Sequence, residues 1–397
     1  MKVLFVAPFF EPAWSMGGMA IASAAWAQVL VAQGAEVEVF TTTANAGGEV
    51  DVVPNVPIDR GGFKVTYFPR WRWSGNRFIS IPLARACARR TPSFDVVHAI
   101  GMWTFPSWVA CLAAQRARVP YVVSLHGTLM GWASKHHGLR KAFFMMLSER
   151  SRLSAAQSVI CSSELEDRCF RRVGLRVSST IIPNVVSAPK IAIRESRSRF
   201  RKRHNLQDAE ICLFAGRLVE NKGIHLTIEA FAAAADRHPK AHLVVVGPNE
   251  DHSGPAALQQ ARSLDLGDRV HFLGLLSGND YWDALAGADL LVLNSYSENF
   301  AMAPAEALAI GIPVLLSDQV GIADLVFRYR AGVIVPLEVR ATAEAMVAML
   351  AEKNMLCEMG KNGVRLVHDQ FSPDRVGKLF AAFLEDVVYE YRKSGRT

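Results

Sequence analysis

The chain of 397 residues has no CxxC pair, and its six cysteines are scattered at Cys87, Cys111, Cys161, Cys169, Cys212 and Cys357. They have no zinc-type spacing and are too sparse for a disulfide framework, so they read as free thiols of a reducing compartment. No uninterrupted apolar run reaches about 18 residues, which argues against a membrane-spanning helix. The opening "MKVLFVAPFFEPAW" has one lysine and a short apolar run, then acidic and proline residues before any plausible cleavage site. It reads as a strand beginning at Lys2 rather than an export signal. A DxD pair, a full GxGxxG fingerprint, short-period repeats and low-complexity tracts are also missing. Mg²⁺ is therefore not called for by any visible motif, a dinucleotide is only weakly suggested, and neither disorder nor a repeat architecture is expected.

What is present is ample apolar material and an excess of positive charge. Half the residues are hydrophobic and 20% are charged, with 44 Lys and Arg against 37 Asp and Glu. This balance is globular, and the length suits two domains. An excess of +7 favours anionic partners such as phosphorylated small molecules or acidic membrane surfaces. Nucleic acid is a poor partner, because no nucleic-acid motif accompanies the charge.

Short apolar strands alternate with helical patterns along the whole chain. "KVLFVAPF", "AEVEVFTT", "FDVVHAIG", "YVVSLHGT" and "SVICSS" form one series; "EICLFAGRL", "AHLVVVG", "RVHFLG", "DLLVLNS", "IPVLLSD" and "AGVIVP" form a second. Such repetition predicts an α/β fold of two doubly wound, Rossmann-like domains facing a central cleft. The proline-containing "IPNVVSAPK" and the basic "RESRSRFRKRH" separate the series. The predicted domains are 1–188, 189–372 and a terminal helix over 373–397, capped by Ser372 and returning toward the first domain. The six Lys and Arg within 194–203 read as a solvated helix face.

Four constellations carry candidate chemistry. In "NSYSENFAMAPAEALAIGIPV", Pro304 is tolerated only in the first turn of a helix, so the helix begins near Phe300 or Ala301 and Glu298 lies in the preceding turn. The amides around Phe300 to Ala303 then offer an anion site, with Glu298 on one side and Glu306 on the other. Carboxylates bind sugar hydroxyls, so the arrangement suits a ligand with a phosphate between two polyols; equally, Glu298 could serve the macrodipole and Glu306 solvent. In "FAGRLVENKGIHLTIEA", Arg217 and Lys222 are two cations of different reach at a strand-to-helix loop, fitting a diphosphate or else forming a surface pair with Glu220. Gly17 and Gly18 allow backbone approach to a phosphate or sugar, or form a tight turn. His126 ends a strand before Gly127, a position for either a substrate contact or a structural hydrogen bond.

Taken in order, the glycine loop, "HGT", "IPNVV", "GRLVENKG", "VVVG", "FLG" and the E-x7-E segment resemble the retaining GT-B glycosyltransferases of family 4, the "group 1" class. The resemblance implies that Arg217 and Lys222 hold the donor diphosphate, Glu298 the donor sugar and Glu306 the ribose. His126 would lie near the reacting centre, and Gly17, Gly18, Asn299, Phe300 and Ala301 would line the donor. It also implies hexose transfer from a nucleotide-diphosphate sugar with front-face attack, no cofactor and no metal. Glycines are frequent in the family where this chain has Asn299 and Ala301. Two basic, aromatic stretches, "YFPRWRWSGNRF" and "KHHGLRKAFFMMLSER", suit a lipid-linked glycan acceptor and peripheral contact with an anionic membrane at its cytoplasmic face; equally, most of the aromatics could be core and the arginines solvated. A sugar-nucleotide 2-epimerase of this architecture and a noncatalytic two-lobed sugar-binding protein are the rival readings.

Overall fold

The computed structural model describes residues 1–13, 16–130 and 149–395. They form two compact units, one of residues 1–185 with 373–397 and one of residues 186–372. The aromatic stretch at 135–150 lies outside the described residues except for its last two positions.

The first unit holds strands β1 (Lys2–Val6), β2 (Glu36–Thr42), β3 (Pro57–Asp59), β4 (Lys64–Phe68), β5 (Val96–Ile100), β6 (Tyr121–Ser124), β7 (Ser158–Cys161) and β8 (Ser179–Ile181). They lie in the order β8-β7-β6-β5-β1-β2-β4-β3, parallel except for β3. Interior strands such as "VVHAI" are buried at every position, as expected of a sheet covered on both faces. Helices α1 (Gly18–Ala32), α2 (Ile81–Arg90), α3 (Phe105–Ala117) and α4 (Glu164–Arg171) return the chain between strands. The terminal helix, Pro373–Lys393, packs on α1 and sets Phe380 beside Phe5 and Trp26. Ser372 does not cap it; its hydroxyl bonds back to the His368 carbonyl at 2.7 Å.

The second unit holds β9 (Glu210–Ala215), β10 (Ala241–Val246), β11 (Val270–Gly274), β12 (Leu290–Leu293), β13 (Val314–Ser317) and β14 (Gly332–Val335), all parallel in the order β11-β10-β9-β12-β13-β14. Its helices include α5 (Ile193–Arg203), α6 (Ile224–Ala235), α7 (Gly278–Gly287) and α8 (Met302–Ala309). The basic run on α5 is not the solvated face that its composition predicts. Arg199 grips Asp283 at 2.6 Å, Arg203 grips Asp280 at 2.6 Å, and Arg201 reaches Asp289 at 2.7 Å and the Gly287 carbonyl at 3.0 Å. These charges stitch α5 to α7 and to the amino end of β12, which is why alternate positions are arginine.

Among the parallel strands of each unit the chain order reverses once. The reversal lies between β1 and β5 in the first and between β9 and β12 in the second. Such a reversal leaves a crevice at the carboxyl ends of the strands, where open α/β sheets bind ligands.

Candidate active site

In the second unit, the loops after β9 and β12 meet over this crevice. Gly223 (φ 68°) closes the first loop, and a Cβ there would stand 1.9 Å from the Asn294 carbonyl oxygen. Any other residue would force the loops apart. The Tyr296 amide bonds the Asn221 carbonyl at 2.8 Å, locking the pair. Buried Asn294 braces the junction by donating to Thr227 at 3.2 Å.

Glu298 is fixed through its main chain. Its amide donates to the Gln319 carbonyl at 3.1 Å and its carbonyl accepts from Gly321 at 2.8 Å, a single parallel bridge onto the loop after β13. Its side chain accepts a charge-assisted hydrogen bond from Lys222, and both side chains are only 15% exposed. Arg217 points elsewhere: it pairs with Glu250 at 2.8 Å rather than with the neighbouring Glu220.

Helix α8 begins at Met302, one or two residues later than the sequence suggests, because Ala301 adopts φ 82° and ψ 85°. This left-handed backbone costs an alanine about 1–2 kcal/mol, a strain that a glycine there would not carry. The Phe300 ring is 1% exposed and packs edge-on against Phe371, so only its main chain is left for a ligand. Ala303 has no carbonyl partner within its helix, and Pro304 carries no amide. On the same helix, half-buried Glu306 accepts a 2.6 Å hydrogen bond from the Tyr281 hydroxyl. Burial raises the Glu306 pKa and the Tyr281 bond partly offsets this, while burial and the adjacent carboxylate raise Tyr281. The sequence reading missed Tyr281, since its hydroxyl and the Glu306 carboxylate are 25 residues apart and meet only in the folded unit.

In the first unit, Gly17 has φ 97° and precedes α1; Gly18 opens the helix with an ordinary backbone, and a Cβ there would meet nothing within 4 Å. Gly17 is thus required by conformation, whereas Gly18 simply leaves open space. His126 sits in the turn after β6 at φ 50°, its half-buried ring 5.2 Å from that of Trp26. Burial pushes its pKa down to about 4, so the ring is neutral at pH 7. Its Nε2 has no hydrogen-bond partner within the described structure. Buried Glu166 on α4 holds this turn: one oxygen accepts the Gly127 amide, and the other accepts the Ser162 amide at 2.6 Å and hydroxyl at 2.9 Å. After β5, the strand next to β6, Trp103 adopts φ 63°, unusual for a bulky residue. The Trp103 indole N–H and the Thr104 hydroxyl are likewise buried without partners. Sequence reasoning overlooked both, and positive φ is invisible in composition.

Among the described residues, no group of three or more His, Cys, Asp or Glu is arranged to hold a metal ion. No described helix is long and apolar enough to cross a membrane.

Two Rossmann-like units of parallel strands, each with polar groups on the loops of its switch point, constitute the GT-B fold. The Anabaena protein HepE, solved with UDP, shares it at TM-score 0.76 and 20% identity over 97% of this chain and all of that one. Sucrose-phosphate synthase from Thermosynechococcus elongatus shares it at TM-score 0.76 and 20% identity, over 98% and 99% of the two chains. The family "Glycosyl transferases group 1" matches residues 196–365 and the "Glycosyl transferase 4-like domain" matches residues 17–185. The chain belongs to the group 1 glycosyltransferases. A relative from Xanthomonas campestris, "GDP-mannose:cellobiosyl-diphosphopolyprenol alpha-mannosyltransferase", is 27% identical over 89% of this chain and 88% of its own.

Proposed function

We propose that this glycosyltransferase moves a hexose from a nucleoside-diphosphate sugar to the hydroxyl of a lipid-linked glycan, with retention of anomeric configuration and without a metal. The observation that carries the reading is the Lys222–Glu298 pair at the β9/β12 switch point: a cation and a carboxylate, largely shielded from water, on two interlocked loops. Lys222 meets the diphosphate, Arg217 swings from Glu250 to join it, and the Ala303 amide adds a third donor. Glu298 then accepts hydrogen bonds from the sugar hydroxyls. Glu306, steadied by Tyr281, accepts from the ribose. Gly17 and Gly18 give the donor phosphates or sugar room beside the first helix. Neutral His126, with an unused ring nitrogen, takes a hydroxyl near the reacting carbon. Asn299 and Ala301 shape the loop against the sugar.

In the reaction the C1–O bond to the diphosphate breaks and a C1–O bond to the acceptor forms on the same face. The acceptor proton passes to the departing phosphate oxygen. Lys222, Arg217 and the helix amide stabilise the charge growing on that oxygen, the larger part of the rate enhancement in this scheme. No resident cofactor enters it.

Solved relatives of the same fold carry UDP or UDP-glucose, and the Xanthomonas relative is named for a diphosphopolyprenol acceptor. These names support a nucleotide-sugar donor and a lipid-linked acceptor. A panel of nucleotide sugars, followed for binding and nucleoside-diphosphate release with and without acceptor, tests the reading. A responding donor should lose binding in Lys222→Ala and Glu306→Ala. Unimpaired binding in both variants sinks the assignment, and conversion of the donor to its C2 epimer without acceptor supports the epimerase instead.

A further inference from the structure

The charge is distributed unevenly along the chain. Between Asp59 and Asp95 lie eight Lys and Arg and no Asp or Glu, while the rest of the chain holds 36 Lys and Arg against 37 Asp and Glu. All of the net positive charge therefore resides in this stretch of the first unit. At its centre, the turn after β4 carries Trp71, Arg72, Trp73 and Arg77 on its surface. The two indoles stack at 5.4 Å and 20° and are 46% and 75% exposed, and the Arg72 side chain is 81% exposed.

The turn is built to hold this arrangement. The Trp71 amide bonds the Ile79 carbonyl at 2.8 Å, and the Ser74 hydroxyl donates to the Trp71 carbonyl at 2.5 Å while accepting the Ile79 amide at 3.1 Å. Phe78 (φ 54°) is buried beneath, edge-on to Phe9 at 5.8 Å. Glu49 braces Arg70 at 3.1 Å and Arg72 at 3.6 Å. Helix α2 follows at once, with Arg85 and Arg89 exposed one turn apart. Two large apolar rings are thus held out by a hydrogen-bonded scaffold and flanked by arginines, instead of collapsing onto the core.

We propose that this turn and α2 form a docking surface for a bilayer with anionic headgroups. Indoles favour the interface between acyl chains and headgroups, and each arginine near an anionic surface adds attraction. A sugar platform fits less well. The two rings cover one another, and the carboxylate beside them, Glu49, is already bound to two arginines. The proposal deepens the lipid-linked-acceptor reading and rests on it for its use, but adsorption is measurable without turnover.

The test is cosedimentation of the full chain with vesicles of phosphatidylcholine alone and with phosphatidylglycerol added. Preferential binding to the anionic vesicles is expected, falling roughly fivefold per arginine in Arg72→Gln and Arg77→Gln and at least ~10-fold in Trp71→Ser/Trp73→Ser. Nucleotide binding and thermal stability of these surface variants should match the parent, so a failed docking proposal is distinguishable from a failed donor site. Equal partition to both vesicles, or binding unchanged in the variants, overturns the proposal. So does a raised KM for a soluble glycan acceptor in the tryptophan variant with no vesicle binding by the parent, which would make the turn a sugar contact.

Discussion

Replacing Glu298 by Gln separates nucleotide binding from sugar transfer. Glu298 and Lys222 form an ion pair in which each side chain is 15% exposed. At an effective dielectric of about 20, charges 4 Å apart attract by about 4 kcal/mol, most of which is cancelled by their desolvation. A net coupling of about 1 kcal/mol is what an incoming diphosphate must displace to reach Lys222. Glu298→Gln removes this competitor and the repulsion between carboxylate and phosphate, so UDP or GDP should bind roughly 5- to 10-fold more tightly. Transfer should fall ~100-fold, because a charged acceptor for the sugar hydroxyls is lost where it matters most. Titration calorimetry and nucleoside-diphosphate release read the two effects on the same protein. Weaker nucleotide binding together with intact transfer would refute the placement of the diphosphate beside Lys222.

Removing the Tyr281 hydroxyl should loosen Glu306. In Tyr281→Phe, a preference for UDP over its 2′,3′-dideoxy analogue, expected at ~10-fold, should narrow to roughly 3-fold in calorimetry; an unchanged ratio would show that Glu306 does not face the ribose. Gly223→Ala should lower stability by about 3 kcal/mol or more in urea unfolding, since a Cβ 1.9 Å from the Asn294 oxygen pushes the two site loops apart. A shift below about 1 kcal/mol would mean that the loops are not interlocked. Burial raises the Glu166 pKa above its ordinary 4.5, so its contribution is full below that value and is lost as pH rises through the raised one. Parent stability relative to Glu166→Gln should therefore decline as pH rises from 4.5, and a flat difference would contradict the buried carboxyl. The same variant should lose transfer while keeping UDP affinity, because Glu166 acts on the His126 turn and not on the second unit.

The two-sheet architecture was legible because buried parallel strands leave uninterrupted apolar runs such as "LLVL" and "LVVV", ended by small or polar residues at the ligand edge. The E-x7-E segment was legible because Pro304 restricts where a helix can begin. What remained hidden depends on contacts distant in sequence. Tyr281 meets Glu306 from a different helix, Glu166 reaches the His126 turn from the helix after the neighbouring strand, and Arg199 and Arg203 of α5 find their aspartates only once α7 lies beside them. Composition alone made those arginines look solvated. It left Trp71 and Trp73 open between core and surface, because a stacked exposed pair and a buried pair have the same sequence.

A nucleoside diphosphate seated at the β9/β12 switch point is the centre of the proposed function. Titrating UDP and GDP into the parent and into Lys222→Ala measures this directly. One nucleotide should bind the parent and lose ~30-fold or more in affinity in the variant, the cost of about 2 kcal/mol expected for a charge-assisted phosphate contact. Equal affinity in the two proteins, or no binding of either nucleotide to the parent, would contradict it.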